Sequence, residues 1–304
     1  MTSALVLGGG GPVGIGWEAG LAAGLRLGGV DLADADTIIG TSAGSVVGFT
    51  LASGREPSEA VALLGEARRS AGADTAPVAA SALEQLIAAV AEAASDPAGA
   101  DAVRARLGRI AAGASTISED DWLSMFAELA GAEWPASFCC TAVDVVEGKF
   151  KVWTGSDRVA LQRAVASSCA VPGVYPPVEI DGVRYMDGGV RDLLNADVAA
   201  GSNAVAVVSC TLLELPPGLA EPALQALFDQ TRGSLDALRE GGARVEVVVP
   251  SAEMLEISSF GLDLMNFAKV EAAYQAGVRQ AAEELGRLGS LWGAVAVADG
   301  PAGS

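Results

Sequence analysis

A five-residue motif at residues 40–44, with the sequence Gly-Thr-Ser-Ala-Gly, constrains the fold of this chain most strongly. It follows the apolar run Thr37–Ile39, which predicts a short buried strand, and precedes Ser45–Ala52, which predicts a helix. In this order of strand, sharp turn and helix, the turn holds the Ser42 hydroxyl clear of the backbone, and glycines relieve the crowding around it. The N–H groups at the start of the helix face the space above the serine, where an oxyanion could form.

A second glycine-rich turn comes earlier, at residues 8–14, between the predicted strand Ala4–Leu7 and the predicted helix Ile15–Leu27. Residues 9–14 satisfy the G-x-G-x-x-G pattern of dinucleotide-binding loops, and Asp31 or Asp34 lies near the acidic position that such loops require.

Two observations favour a different role for this turn. Pro12 has no N–H to offer a phosphate, and the next strand ends at Gly40 instead of at an acidic residue. We therefore expect the backbone N–H groups of Gly9, Gly10 and Gly11 to form an oxyanion hole. Dinucleotide binding and a purely structural turn remain as alternatives.

The chain has no histidine among its 304 residues. This excludes a Ser-His-Asp triad and any histidine-ligated metal site, so an activated serine must take its base from a carboxylate or a lysine. Four cysteines fit no metal-binding spacing and are predicted to be free thiols; they are Cys139, Cys140, Cys169 and Cys210. We expect neither a metal nor a cofactor.

The formal net charge is −19, which argues against nucleic acid as a partner and against electrostatic adsorption to anionic membranes. A lipid substrate that enters by apolar contact, with transient membrane contact, stays compatible with this charge. Met1–Ser3 leads directly into an apolar strand without a basic segment or a cleavable apolar run, so we expect a cytoplasmic location. The sequence does not determine the oligomeric state.

We find no internal repeat and no clear linker, and we expect a single domain over residues 1–304. Residues 57–131 carry little strand signal and predict a helical insertion, which serves either as a cap over the site or as ordinary packing helices. Within it, a break is expected at residues 96–99. Residues 201–304 are expected to complete the same domain, with helices at Leu219–Arg239 and Leu264–Leu288 and a frayed tail from Ala298.

A carboxylate on a glycine-flanked turn, Asp187, is the best-placed candidate for the missing base, since Gly188 and Gly189 permit close approach to a neighbouring turn. A solvated aspartate is a feeble base near pH 7. We therefore expect Asp187 to be buried, with a raised pKa, and to form a hydrogen bond to Ser42. Asp144 and Asp192 are fallback candidates that fit structural roles better.

Three elements in this order resemble the patatin-like phospholipase family: residues 9–14, residues 40–44, and Asp187-Gly188-Gly189. Ser167–Val178 also resembles the segment that precedes the catalytic aspartate in that family. The resemblance implies a three-layer α/β/α fold with a mostly parallel central sheet. It also implies that Ser42 is the nucleophile, that Asp187 is the base, and that the oxyanion hole includes the N–H groups of Gly10 and Gly11. The glycines of the motifs are Gly14, Gly40, Gly44, Gly188 and Gly189.

One position departs from the family pattern. Val13 stands where the family often has Arg or Lys, which removes a cation that could recognise a phosphate headgroup. The predicted function is a serine acyl-ester hydrolase of phospholipase A, lysophospholipase or carboxylesterase type, acting through an acyl-enzyme on Ser42. The alternatives are a catalytically silent lipid-binding protein of the same fold and a dinucleotide-dependent oxidoreductase.

Overall fold

The computed structural model describes residues 1–70, 88, 92, 99–213 and 222–292, and an eight-stranded mixed sheet lies at its centre. The strands are β1 Ser3–Leu7, β2 Thr37–Gly40, β3 Phe138–Asp144, β4 Phe150–Trp153, β5 Val178–Ile180, β6 Val183–Asp187, β7 Ala204–Val208 and β8 Arg244–Val248. Hydrogen-bonded neighbours follow the order β5-β6-β3-β2-β1-β7-β8, and β4 also pairs with β3.

The part of the sheet from β3 through β2, β1 and β7 to β8 is parallel, whereas β4, β5 and β6 pair antiparallel. The central strands consist almost entirely of buried apolar residues, as expected for parallel strands with helices on both faces. The prediction of a mostly parallel central sheet is confirmed.

Nine helices of the described residues surround this sheet. They are α1 Gly11–Leu27, α2 Ala43–Ala52, α3 Ser58–Ser70, α4 Ala100–Gly113, α5 Glu119–Ser124, α6 Leu161–Ser168, α7 Pro222–Glu240, α8 Ala252–Ile257 and α9 Val270–Trp292.

Alternate residues of each strand point to opposite faces of the sheet, which produces two packed layers. Leu5 and Leu7 of β1 belong to the core cluster that contains α1, α2 and α9. Ala4 and Val6 belong to a second cluster that contains Leu235 and Leu238 of α7. The predicted α/β/α arrangement is confirmed by these two layers.

Helices α1 and α9 each begin several residues away from the position that the sequence predicts. Helix α1 begins at Gly11 instead of Ile15, because its first turn accommodates Pro12, whose missing N–H costs nothing there. Helix α9 begins at Val270 instead of Leu264. The Leu264 carbonyl accepts the N–H of Val13 at 3.1 Å, and this tertiary contact overrides the apolar periodicity.

The described part of residues 57–131 consists of helices joined by turns and irregular segments, and its role as an insertion remains a prediction. Between residues 71 and 98, only residues 88 and 92 are described, and both are helical. Residues 96–98 of the expected break and the tail from Ala298 lie outside the described residues. Strands β7 and β8 share the sheet with β1, as one domain requires, and the single domain remains a prediction.

None of the helices in the described ranges is both long enough and apolar enough to cross a membrane.

Candidate active site

The pairing of β3 brings the ends of β2 and β6 together. Gly40, the last residue of β2, pairs with Cys140, while Asp187, the last residue of β6, pairs with Ala142. Strand β4 pairs with β3 from Cys140 to Val143, a range that includes residues paired with β2 and residues paired with β6. Because β4 occupies one edge of β3 over this range, β2 and β6 must share the other edge. The turn that carries Ser42 thus lies next to the end of the strand that carries Asp187.

The turn at Ser42 is a strained one. Ser42 has φ 53° and ψ −117°, a backbone conformation that residues other than glycine rarely adopt. A Cβ at Gly40 would lie 2.5 Å from the Gly44 carbonyl oxygen, and a Cβ at Gly44 would lie 2.2 Å from the Leu7 carbonyl oxygen. Both glycines are therefore required by sterics, and they allow α2 to begin directly behind Ser42.

Asp187 is buried, with 4% of its surface exposed. Its Oδ1 accepts the N–H of Gly189 at 2.7 Å, whereas its Oδ2 is buried and has no hydrogen-bond partner in the part of the chain that the structure describes. Burial raises the pKa of this carboxyl to about 7, although the Ser42 side chain and the Gly189 N–H both lower it. The Ser42 hydroxyl therefore lies close to the carboxyl, while the two groups lack the full geometry of a hydrogen bond.

The backbone donors of the first glycine turn are not equivalent. The Gly9 N–H donates to the Leu193 carbonyl at 2.8 Å, so it is not available to an oxyanion, and our expectation for Gly9 needs correction. Within the described ranges, the N–H groups of Gly10, Gly11 and Ala43 have no hydrogen-bond acceptor. Ala43, which opens α2 directly after Ser42, was not among the residues that the sequence singled out.

Close packing explains why glycines occupy this turn. A Cβ at Gly10 would lie 2.5 Å from the Cys210 Cβ. Gly11 has φ 58°, and a Cβ there would lie 2.7 Å from the Leu264 carbonyl oxygen. A Cβ at Gly9 would lie 3.6 Å from the Ser42 Cβ, so the turn runs directly beside Ser42.

Two polar residues hold these turns in place, and neither of them was identified as functional from the sequence. The Ser168 hydroxyl accepts the N–H of Ser42 at 3.0 Å. The Asn195 amide donates to the Thr41 hydroxyl at 3.1 Å and to the Gly188 carbonyl at 3.2 Å, so one side chain bridges the serine turn and the aspartate turn. Ser168 lies in the segment 167–178 that the resemblance had already marked, whereas Asn195 carried no signal that we recognised.

The fallback carboxylates serve local structure. Asp192 accepts the N–H groups of Leu194 and Asn195 at 2.8 and 2.9 Å and so shapes the loop beyond Gly189. Asp144 accepts the N–H of Val146 at 2.6 Å, in the turn after β3.

A buried acid in α1, Glu18, was also missed. Its Oε1 accepts a hydrogen bond from the Cys210 thiol at 3.2 Å, and its Oε2 is buried with no hydrogen-bond partner in the described ranges. Burial raises the pKa of Glu18 well above its usual range. Because Cys210 packs against Gly10 and Gly14, this buried acid lies behind the first glycine turn.

Ser42 opens into an apolar pocket of about 60 Å³. Side chains from the α3, α5 and α8–α9 regions form much of its wall, and no charged side chain is among the described residues that line it. The lining residues include Leu63, Leu64, Trp122, Met125, Phe126, Leu129, Tyr175, Met265 and Phe267. The Trp122 and Tyr175 rings stack with centroids 3.9 Å apart. The described part of the predicted insertion therefore does line the pocket.

The geometry does not support a dinucleotide site. Asp31 caps the turn after α1 and forms an ion pair with Arg26, at the end of α1 that is remote from Gly11. A helix of 17 residues is about 25 Å long, so this acid is too far from the glycine turn to assist it. Within the described ranges, no group of three or more Cys, Asp and Glu side chains is arranged to hold a metal ion.

Comparison with known protein families identifies the family of this chain. A model of the patatin-like phospholipase family matches residues 5–200, which is more than half of the chain. The chain belongs to the patatin-like phospholipase family. The match contains the end of β1 from Leu5, strands β2 to β6, Ser42, Asp187 and both glycine turns, whereas α7, α8, α9 and the loop that presents Leu264 lie beyond it.

Curated relatives add little about function. Proteins named as uncharacterized NTE family members, from Mycobacterium bovis and from Mycobacterium tuberculosis, are 37% identical to this patatin-like chain over 78 residues. That match covers 26% of this chain and 21% of each relative. The chain therefore matches about a fifth of the length of these curated relatives.

Proposed function

We propose that this protein is a serine acyl-ester hydrolase in which Ser42 is the nucleophile and Asp187 the general base. The observation that carries the proposal is the buried carboxyl of Asp187, which interacts with the Ser42 side chain and whose Oδ2 has no hydrogen-bond partner among the described residues. A pKa of about 7 suits a general base at neutral pH. Membership of the patatin-like phospholipase family supports lipid acyl hydrolysis in the broad sense.

In the proposed first step, Oδ2 of Asp187 takes the hydroxyl proton while Oγ of Ser42 bonds to the ester carbonyl carbon. The negative charge that develops on the carbonyl oxygen is stabilised by the N–H groups of Gly10, Gly11 and Ala43 and by the N-terminus of α2. The ester bond to the leaving alcohol then breaks, and Asp187 returns its proton to that alcohol.

The second step hydrolyses the acyl-enzyme. Asp187, again ionised, takes a proton from a water molecule while the water oxygen attacks the acyl carbon. The bond to Oγ breaks, the proton returns to Ser42, and a carboxylic acid leaves. The same carboxylate serves both steps, so no histidine is needed.

The pocket suggests the kind of acyl ester. Its lining is apolar and uncharged, which suits an acyl chain, and Val13 provides no cation for a phosphate. We therefore favour an ester or thioester whose group near the reacting carbonyl is uncharged. The space of about 60 Å³ is small, so a long chain requires displacement of lining side chains such as Met125 and Met265.

Release of fatty acid tests this proposal. Purified protein is incubated with a monoacylglycerol, with lysophosphatidylcholine and with a short-chain nitrophenyl ester, and the free acid is quantified for wild type and Ser42→Ala. We expect turnover of the uncharged esters by wild type alone. Equal turnover by Ser42→Ala would contradict the proposed nucleophile, and lipid binding without turnover would support the silent lipid-binding alternative.

A further inference from the structure

Two exposed apolar side chains lie on the loop between α8 and α9. Phe260 is 70% exposed and Leu262 is 75% exposed. Every aromatic residue of the chain falls in the described part, and Phe260 is the single exposed one among them. Single exposed apolar residues are common on soluble proteins, so exposure alone assigns no role.

The loop, residues 258–266, holds Phe260 outward at a cost. Phe260 has φ 55°, in the left-handed region that bulky residues seldom adopt, and Ser259 before it has φ 50°. Backbone bonds maintain this shape: the Phe260 N–H donates to the Leu255 carbonyl at 2.7 Å, and the Asp263 N–H donates to the Ser258 carbonyl at 2.9 Å. Strain of this kind persists where the surrounding structure imposes it, and it often marks a functional segment.

The same loop contacts the candidate active site. Leu264 accepts the N–H of Val13 and, together with Met265, packs against Gly11. Met265 and Phe267 line the pocket. Four residues of extended chain span about 14 Å at most, so Phe260 and Leu262 both lie within that distance of Leu264, the neighbour of the pocket-lining residue Met265.

Charge restricts what this loop can contact. Between residues 251 and 269 there are three acidic residues and a single cation, Lys269, whose ammonium group is already bonded to Ser259 and Asp263. The whole chain has a net charge of −19. An anionic surface would repel this region, whereas a surface without net charge would not.

We propose that Phe260 and Leu262 insert into the surface of a lipid assembly without net charge, such as a zwitterionic or neutral lipid layer, and so place the pocket next to acyl esters in that layer. Apolar side chains of this type partition into the boundary between headgroups and acyl chains. The role of this lipid contact in bringing the pocket to its substrate rests on the proposed function, whereas lipid binding itself requires no catalysis.

Vesicle sedimentation tests the proposal in the Ser42→Ala background, where hydrolysis cannot alter the lipid. Phosphatidylcholine vesicles are the probe, and Phe260→Ser/Leu262→Ser is the test variant. We expect this double variant to partition at least about tenfold more weakly than its parent, because two apolar anchors are lost. Leu27→Ser is the matched control, since Leu27 is 86% exposed at the remote end of α1, and it should partition like the parent.

Three results would overturn the proposal: no binding of the parent to phosphatidylcholine vesicles, equal binding of the double variant, or tighter binding to phosphatidylglycerol vesicles. Phe260→Asn provides a second variant, since asparagine tolerates a positive φ and so keeps the loop conformation. With Ser42 restored, both loop variants should hydrolyse a soluble short-chain ester at the wild-type rate. If a loop variant loses both vesicle binding and hydrolysis of the soluble ester, the loop has a merely structural role.

The two proposals fail in distinguishable ways. If the protein binds phosphatidylcholine through Phe260 and Leu262 but turns over no ester, the lipid contact stands and the hydrolase proposal falls. If it turns over soluble esters without binding vesicles, the hydrolase proposal stands and the lipid contact falls.

Discussion

Asp187 lies beside Ser42, with one carboxylate oxygen bonded to the Gly189 N–H and the other buried without a partner among the residues that the structure describes. An unpartnered buried carboxylate oxygen costs stability, and folded proteins retain such groups mainly where they serve a function. The same buried carboxylate therefore lowers the stability of the protein and serves as the proposed base. Substitution of Asp187 measures its cost in stability.

Replacement of Asp187 by Asn should stabilise the protein in a pH-dependent way. The folded pKa of about 7 lies above the value of about 3.9 expected for an unfolded chain. The wild-type free energy of unfolding should therefore fall as the pH rises from about 4 to about 7, by about 4 kcal/mol in total. Asn does not ionise and avoids this fall.

Chemical denaturation at pH 5 and pH 8 measures this effect. The stability advantage of Asp187→Asn over wild type should be larger at pH 8. An advantage that is equal at both pH values would show that the carboxyl does not have a raised pKa.

Asn195 should position the site without touching substrate. Asn195→Ala removes the donors that hold the Thr41 hydroxyl and the Gly188 carbonyl, and we expect a loss of about 1–3 kcal/mol in stability. The reaction of Ser42 should become about tenfold slower, because the two turns lose their common link.

Asn203→Ala is the matched control for Asn195. The Asn203 side chain is exposed and, among the described residues, bonds only to Thr2, so this variant should keep the wild-type rate and nearly the wild-type stability. The measurements are urea denaturation and the rate of ester hydrolysis. An Asn195→Ala protein with the wild-type rate would contradict the positioning role.

Glu18 should behave as a neutral acid. Because burial raises its pKa well above the usual range, wild-type stability should fall as the pH rises above about 4.3, and Glu18→Gln should avoid that fall. Unlike Asp187→Asn, the Gln variant should keep its activity, because Glu18 lies behind Gly10 instead of beside Ser42. Glu18→Ala should lose about 2 kcal/mol or more through the cavity that it leaves.

Stability against pH for wild type and Glu18→Gln, together with ester turnover, checks this prediction. A Gln variant that is less stable than wild type at pH 8 would indicate that Glu18 is ionised in the folded protein.

Local patterns predicted the strands and turns that carry Ser42 and Asp187, because apolar runs ended by glycines constrain the chain strongly. The side-chain proximity of these residues was expected, and the structure explains it by the shared edge of β3. Their catalytic roles remain proposals.

Features that depend on distant partners could not be predicted. The Gly9 N–H is occupied by Leu193, and the start of α9 is shifted by the bond from Val13 to Leu264; each partner is remote in sequence. Likewise, the hydrogen bonds from Asn195 to Thr41 and Thr141 arise only when segments that are remote in sequence meet. Periodicity describes one element at a time and contains no information on such contacts.

The most direct test of the central claim is intact-mass analysis after treatment with a fluorophosphonate, which reacts with activated serines. For wild type we predict a single covalent adduct, formed at a rate that rises with pH through about 7 as Asp187 ionises. The adduct should be absent from Ser42→Ala and formed at least about a hundredfold more slowly by Asp187→Asn. Folded wild-type protein that forms no adduct, or an adduct that persists in Ser42→Ala, would contradict the Ser42–Asp187 mechanism.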